Sequence, residues 1–239
     1  MFDLFRKGGQ PSVRQIQRTT KKLTEPHGEQ TPRLEAAERL RSWGNAEALF
    51  SLLKRFTISS RVITQDVEEK QLVVKMLVRS GSVAVEPIIR FIKTHQQVDW
   101  PVRALAQIVS KEELVNHLVD AIEVVALSEF AASEHRVSLI RAVQEYVTPD
   151  MSTLLRKFLT DSDDDVRITA IEALGTIGES EREALLIAFL EAIDRPRIQL
   201  RILDLFAERS WSVKGFRPKV EEALHDDFIL TSKGLIRRR

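Results

Sequence analysis

The chain has 239 residues, 43% of them hydrophobic and 30% charged, with nine glycines, eight prolines and no cysteine. These figures describe a globular chain with a sizeable core and exclude global disorder, a disulfide framework and thiolate metal sites; so few turn formers also argue against an all-β sandwich. The net charge of +1 divides into +4 over 1–33, +3 over 34–98, −3 over 99–160, −6 over 161–209 and +3 over 210–239, a weaker basic excess than a dedicated nucleic-acid binder carries.

The chain opens with an apolar tip, Phe2, Leu4 and Phe5, ahead of Arg6-Lys7-Gly8-Gly9. That start is too soon charged for a signal peptide and too short to anchor in a membrane, and no apolar run reaches the length of a transmembrane helix. Together with the missing cysteines it predicts a cytoplasmic protein without stable membrane insertion. Ser12 then opens a helix with Val13, Ile16, Thr20 and Leu23 on one face and Arg14, Arg18, Lys21 and Lys22 on the rest, stopped by Pro26. Residues 1–30 thus read as a flexible tip plus a basic helix that caps the helices after it.

From 31 to 209 one pattern recurs: a basic residue, two others, a small or aliphatic pair, then a further apolar position. Its anchors are Arg33, Lys70, Arg103, Arg136, Arg167 and Arg197, spaced 37, 33, 33, 31 and 30 residues apart. Such spacing accommodates two helices of about 12 residues and their turns. Between the anchored helices lie others with their own i, i+3, i+4 stripes. Ala48, Leu49, Leu52, Leu53 and Phe56 form one; Val85, Ile88, Ile89 and Ile92 the next; Leu114, Leu118, Ala121, Ile122 and Val125 the third. Met151, Leu154, Leu155, Phe158 and Leu159 continue the series, then Leu185, Leu186, Phe189, Leu190 and Ile193. Thr64, Asp99, Thr148 and Asp163 or Asp164 are candidate starts, and Gly44, Gly81 and Gly178 candidate ends. No helix alone hides such a stripe, so neighbouring pairs must stack.

The last segment, 210–239, differs in kind. Ser210–Pro218 is irregular, a short helix follows to about Leu224, and Phe228–Thr231 and Leu235–Arg238 flank Ser232-Lys233-Gly234 as a β-hairpin would. The hairpin is expected to cap the last repeat, with Phe228 and Leu230 packed inward. It brings Lys233, Arg237, Arg238 and Arg239 into the same segment as Lys214, Arg217 and Lys219, and these seven cations are the candidate partner contact.

The stretch Asp161-Ser-Asp-Asp-Asp-Val-Arg167-Ile-Thr-Ala-Ile-Glu-Ala-Leu-Gly175-Thr-Ile-Gly178 resembles the HEAT-repeat signature, in which a turn Asp stands six residues before an Arg that opens the second helix. The resemblance spans roughly 31–209 and implies an all-α fold: a short right-handed α-solenoid of about six helical hairpins, here with a small C-terminal β-hairpin cap. It further implies that the anchored helices line the concave side and that Asp161 and Arg167 form a structural pair, the carboxylate accepting turn amides and the Arg.

Chemistry is thinly represented. Asp161, Asp163 and Asp165 occupy positions 1, 3 and 5 of a calcium loop, but position 6 is Val166, which resists the sharp turn such a loop makes there. No phosphate-binding glycine loop, His-Glu-x-x-His or Gly-x-Ser-x-Gly occurs, and His27, His95, His117, His135 and His225 sit apart, as surface or turn residues. Trp43, aligned with Ile177, reads as core; Trp100 as a local plug or a contact; Trp211 as a packed cap. The resulting expectation is a non-enzymatic interaction scaffold without cofactor or metal that binds a protein partner. The alternative is a nucleic-acid-binding protein of the HEAT-like DNA glycosylase type, which the acidic 161–209 stretch disfavours.

Overall fold

The computed structural model describes residues 10–126, 128 and 131–239, so the tip at Phe2, Leu4 and Phe5 lies outside the described residues. The chain divides into two compact units, 1–121 and 122–239.

In the first unit, α1 (Val13–Leu23) starts at a reciprocal cap: Ser12 Oγ accepts from the Gln15 amide and the Gln15 side chain accepts from the Ser12 amide. Its inner positions are Thr19 and Leu23, while Val13 stands 71% exposed, so the inward face is shorter than the four-residue stripe suggests. Then come α2 (Gln30–Trp43), α3 (Ala46–Leu53), α4 (Ile63–Ser80), α5 (Val85–Thr94), α6 (Asp99–Leu105) and α7 (Lys111–Ala126), the last crossing the division between units. Gly44 ends α2 at φ 63°, a left-handed conformation that glycine adopts without strain, and Asn45 immediately caps α3 through the Ala48 amide. Val62, not Thr64, precedes α4.

The helices stack as two rows. The anchored α2, α4 and α6 pack in sequence, α3 packs on α5, and α1 lies against both α2 and α3. All five residues of the first intervening stripe, Ala48 to Phe56, are buried. Each large apolar side chain removed from water in this way contributes about 1.5–3 kcal/mol. Trp43 is only half-buried under the Arg39 guanidinium, which corrects its expected core position; Trp100 stacks on Phe56 with rings 6.3 Å apart and nearly parallel.

The second unit repeats the arrangement with α8 (Ser133–Val143), α9 (Ser152–Arg156, flanked by 3-10 turns), α10 (Asp164–Ile177), α11 (Arg182–Glu191) and α12 (Pro196–Arg209). Here α10 packs between α8 and α12. Gly175 permits that closeness: a Cβ there would lie 2.8 Å from Leu205 of α12. His135, expected at the surface, is buried at the start of α8.

The hairpin forms as the turn residues predict, with β1 (Phe228–Leu230) antiparallel to β2 (Ile236–Arg238) after α13 (Arg217–Glu222). Phe228 is buried and Leu230 half-buried, and β2 packs on α12. The preceding segment is more ordered than it reads. Trp211 packs edge-on to Phe206, the Val213 amide donates to the Gly234 carbonyl at 2.8 Å, and Ser212 bridges to Leu235.

Candidate functional site

Three of the six periodic basic anchors have a common local task, while Lys70 pairs with Asp66, Arg197 with Asp165 and Arg103 lies over the Trp100 ring. Arg33 Nη1 donates to the Gly28 carbonyl, Arg136 Nη1 to the Ala131 carbonyl at 2.6 Å, and Arg167 Nε to the Asp161 carbonyl. Each ties the start of its helix to the turn five or six residues upstream, satisfying a carbonyl that the turn leaves unpaired. The expected Asp161–Arg167 pair is therefore joined through the Asp161 backbone, not its side chain. The Asp161 carboxylate instead accepts the Asp163 amide at 3.0 Å and pairs with Arg136 of the preceding anchored helix at 3.0 Å.

The rest of the acidic turn is engaged in the same manner. Asp163 caps α10 through the amides of Asp165 and Val166. A hydrogen bond from Ser133 and those two amides hold its carboxyl below the usual range. Asp164 pairs with Arg195, Asp165 with Arg197 at 2.7 Å, and Glu172 with Arg201 at 3.1 Å. These carboxylates diverge toward separate arginines and amides, an arrangement that joins α8, α10 and α12 rather than converging on a cation. Among the described residues no group of three or more His, Asp or Glu is placed to hold a metal ion.

On the anchored-helix side of this unit, α8 and α10 leave between them a groove of about 430 Å³. Val137 and Ile168 supply half-buried apolar lining. Thr169 lies beside them with its hydroxyl held by the Asp165 carbonyl. Glu134, Asp163, Asp165 and Glu172 face Arg141 and Arg197 around the same groove, a carboxylate excess of two. Apart from Asp163 and Asp165, weighed above as calcium-loop positions, none of this lining was singled out for binding in the sequence. A signal was present: Val137 and Ile168 directly follow the anchors Arg136 and Arg167, off the stripe that fills the core.

The first unit uses charge internally. Arg33 makes a two-pronged contact with Glu69, at 2.7 and 3.0 Å, and Arg55 reaches Glu69 at 2.8 Å and Asp66 at 2.7 Å. Lys70 closes the cluster on Asp66 at 2.6 Å. The side chains of Arg33, Arg55 and Glu69 are at most 3% exposed. Burial pushes the Asp66 carboxyl up, but hydrogen bonds from Lys70, Arg55 and the Ser60 amide outweigh it and hold the group at about 2. For Glu69 burial likewise raises the carboxyl, and the two arginines outweigh it to leave a net lowering. Carboxylates so firmly ionised and so fully paired are poor proton acceptors; the cluster is a clamp between α2, the turn after α3, and α4.

The C-terminal cations are partly committed. Arg217 donates to the Ser232 carbonyl at 3.0 Å and reaches Glu221, tying α13 to the hairpin turn. Arg238 lies 3.6 Å from Asp204 and over the Phe228 ring. Lys214, Lys219, Lys233, Arg237 and Arg239 are exposed and carry no ion pair to a described residue.

Residues 123–204, which contain the groove and the whole acidic turn, match the family model for HEAT repeats. That stretch carries HEAT repeats. No curated protein and no solved structure matches the chain. HEAT repeats commonly serve as protein-interaction scaffolds, and no helix among the described residues is long and apolar enough to cross a membrane.

Proposed function

We propose that the chain is a non-enzymatic interaction scaffold whose HEAT groove between α8 and α10 receives an extended, basic segment of a protein partner. The observation that carries this reading is the groove's composition: apolar Val137 and Ile168 beside four carboxylates and only two arginines. Apolar side chains on a partner bury against the former, while its Lys and Arg exchange with Arg197 on Asp165, an exposed pair worth less than about 1 kcal/mol. The exposed cations Lys214, Lys219, Lys233, Arg237 and Arg239, with Arg217 and Arg238 beside them in sequence, are a second contact for an acidic surface of the same partner.

The test places a photo-crosslinking residue at Val137 or Ile168 in the full chain. The reading expects one defined protein to be captured at both positions, and capture to be lost in Asp165→Lys/Glu172→Lys without loss of fold. Capture from exposed Ile187 on α11, with none from the groove, would overturn it.

A further inference from the structure

The arginines of the second unit are mostly paired; those along α1 are not. The α1 helix carries Arg14, Arg18, Lys21 and Lys22, all exposed, and no acidic residue. Among the described residues none of these four, nor Arg39 on α2, has a carboxylate within ion-pair distance. Like charges gathered without partners repel one another, so their arrangement calls for a ligand that neutralises them.

The geometry restricts that ligand. Arg18 and Lys22 from α1 and Arg39 from α2 face a common cleft of about 380 Å³, in which Glu35 is the one carboxylate. A second depression of about 500 Å³ shares Arg18, Lys22 and Pro32 and adds Lys21, with Glu25 and Glu29 lining it too. The basic lining therefore runs along the helix and does not close around a compact molecule. Arg14, Arg18 and Lys22 follow at four-residue intervals, about 6 Å of rise each, comparable to successive phosphates on a stretched strand. The cleft lies between two helices packed on each other, whose axes in such packing stand about 8–10 Å apart, so it suits a single strand better than a duplex. A bilayer surface cannot enter a cleft and touch Arg39 on its opposite wall. One turn beyond Arg39, half-buried Trp43 lies under the Arg39 guanidinium and positions that cation on the wall of the cleft.

We infer that the α1–α2 cleft binds the phosphate backbone of a single-stranded nucleic acid, with Arg18, Lys22 and Arg39 as the principal contacts and Arg14 and Lys21 extending the track. This site lies in the other unit from the HEAT groove, needs no base chemistry and stands or falls independently of the scaffold reading.

The experiment is fluorescence anisotropy of a labelled oligothymidylate of about 20 nucleotides with the full chain. Saturable binding is expected at low salt, with log affinity falling against log salt at a slope of about −2 to −3, as for three or four phosphates on a single strand. Arg18→Glu/Lys22→Glu/Arg39→Glu weakens binding at least about tenfold with an unchanged melting temperature, because all three side chains are exposed. Arg18→Lys/Arg39→Lys retains most of it, and Arg237→Glu/Arg238→Glu/Arg239→Glu leaves it unaltered. Four results overturn the inference: no binding at low salt, equal loss in the C-terminal variant, preference for duplex, or binding to phosphatidylserine vesicles in place of the oligonucleotide.

Discussion

The two units stack their anchored helices in the same way and use charge in opposite ways. Residues 1–121 hold nineteen Lys and Arg against fourteen Asp and Glu, a net +5, and residues 122–239 hold seventeen against twenty-one, a net −4. In the first unit the decisive carboxylates, Asp66 and Glu69, are inside and shared among Arg33, Arg55 and Lys70. In the second they are spread out, one arginine to each of Asp161, Asp164, Asp165 and Glu172, from the mostly buried Arg136–Asp161 pair to the exposed Arg197–Asp165 pair. A buried cluster locks helices in place and leaves no carboxylate for a partner. An exposed pair such as Arg197–Asp165 contributes little to stability and can exchange with a partner's charges.

The sharpest break in that comparison is a single truncation. Glu69→Ala leaves Arg33 buried without a carboxylate and Arg55 with Asp66 alone, and should cost about 3–5 kcal/mol in urea unfolding. Replacing Arg33, Arg55 and Glu69 together by apolar residues of similar volume should cost far less, because no charge is then left unpaired. Next in size is Asp161→Ala, which removes a turn cap and the Arg136 pair and should cost about 1–3 kcal/mol.

Acid sharpens the contrast by titration. With Asp66 held at about 2 against an ordinary 3.8, its contribution is complete above about pH 4 and is lost as pH falls through about 2. The stability difference between the wild type and Asp66→Asn should therefore shrink steadily between those limits; a constant difference would show that Asp66 does not titrate with folding. The smallest effect expected is a gain. Ser210 ends α12 at φ 55°, so Ser210→Gly should stabilise by up to about 1 kcal/mol, read as a raised urea midpoint.

The helices were legible because anchors spaced 30 to 37 residues apart and the intervening stripes are local signals; the stripes fall on helices and the 3-10 turns that extend them, except at Ile193, which lies beyond α11 and is 73% exposed. The hairpin was legible in Ser232-Lys233-Gly234, where Gly234 takes φ 74°. The Asp66–Glu69 cluster was not. Both acids stand within four residues of the Lys70 anchor and read as an ordinary charged helix face; only Arg33, 36 residues away from Glu69, and Arg55 make them interior. Trp43 misled through its alignment with Ile177, and Ile177 is itself only half-buried. The groove depends on how α8 meets α10, which no pattern within one helix encodes. The α1 cations were visible, but their lack of partners was not.

The most direct test is a pair of double-mutant cycles in the full chain, Arg55→Ala with Glu69→Ala and Arg197→Ala with Asp165→Ala, read by urea unfolding. The account predicts a coupling of more than about 2 kcal/mol for the buried pair and less than about 0.5 kcal/mol for the exposed one. Equal couplings, or a larger one at Arg197–Asp165, would contradict it.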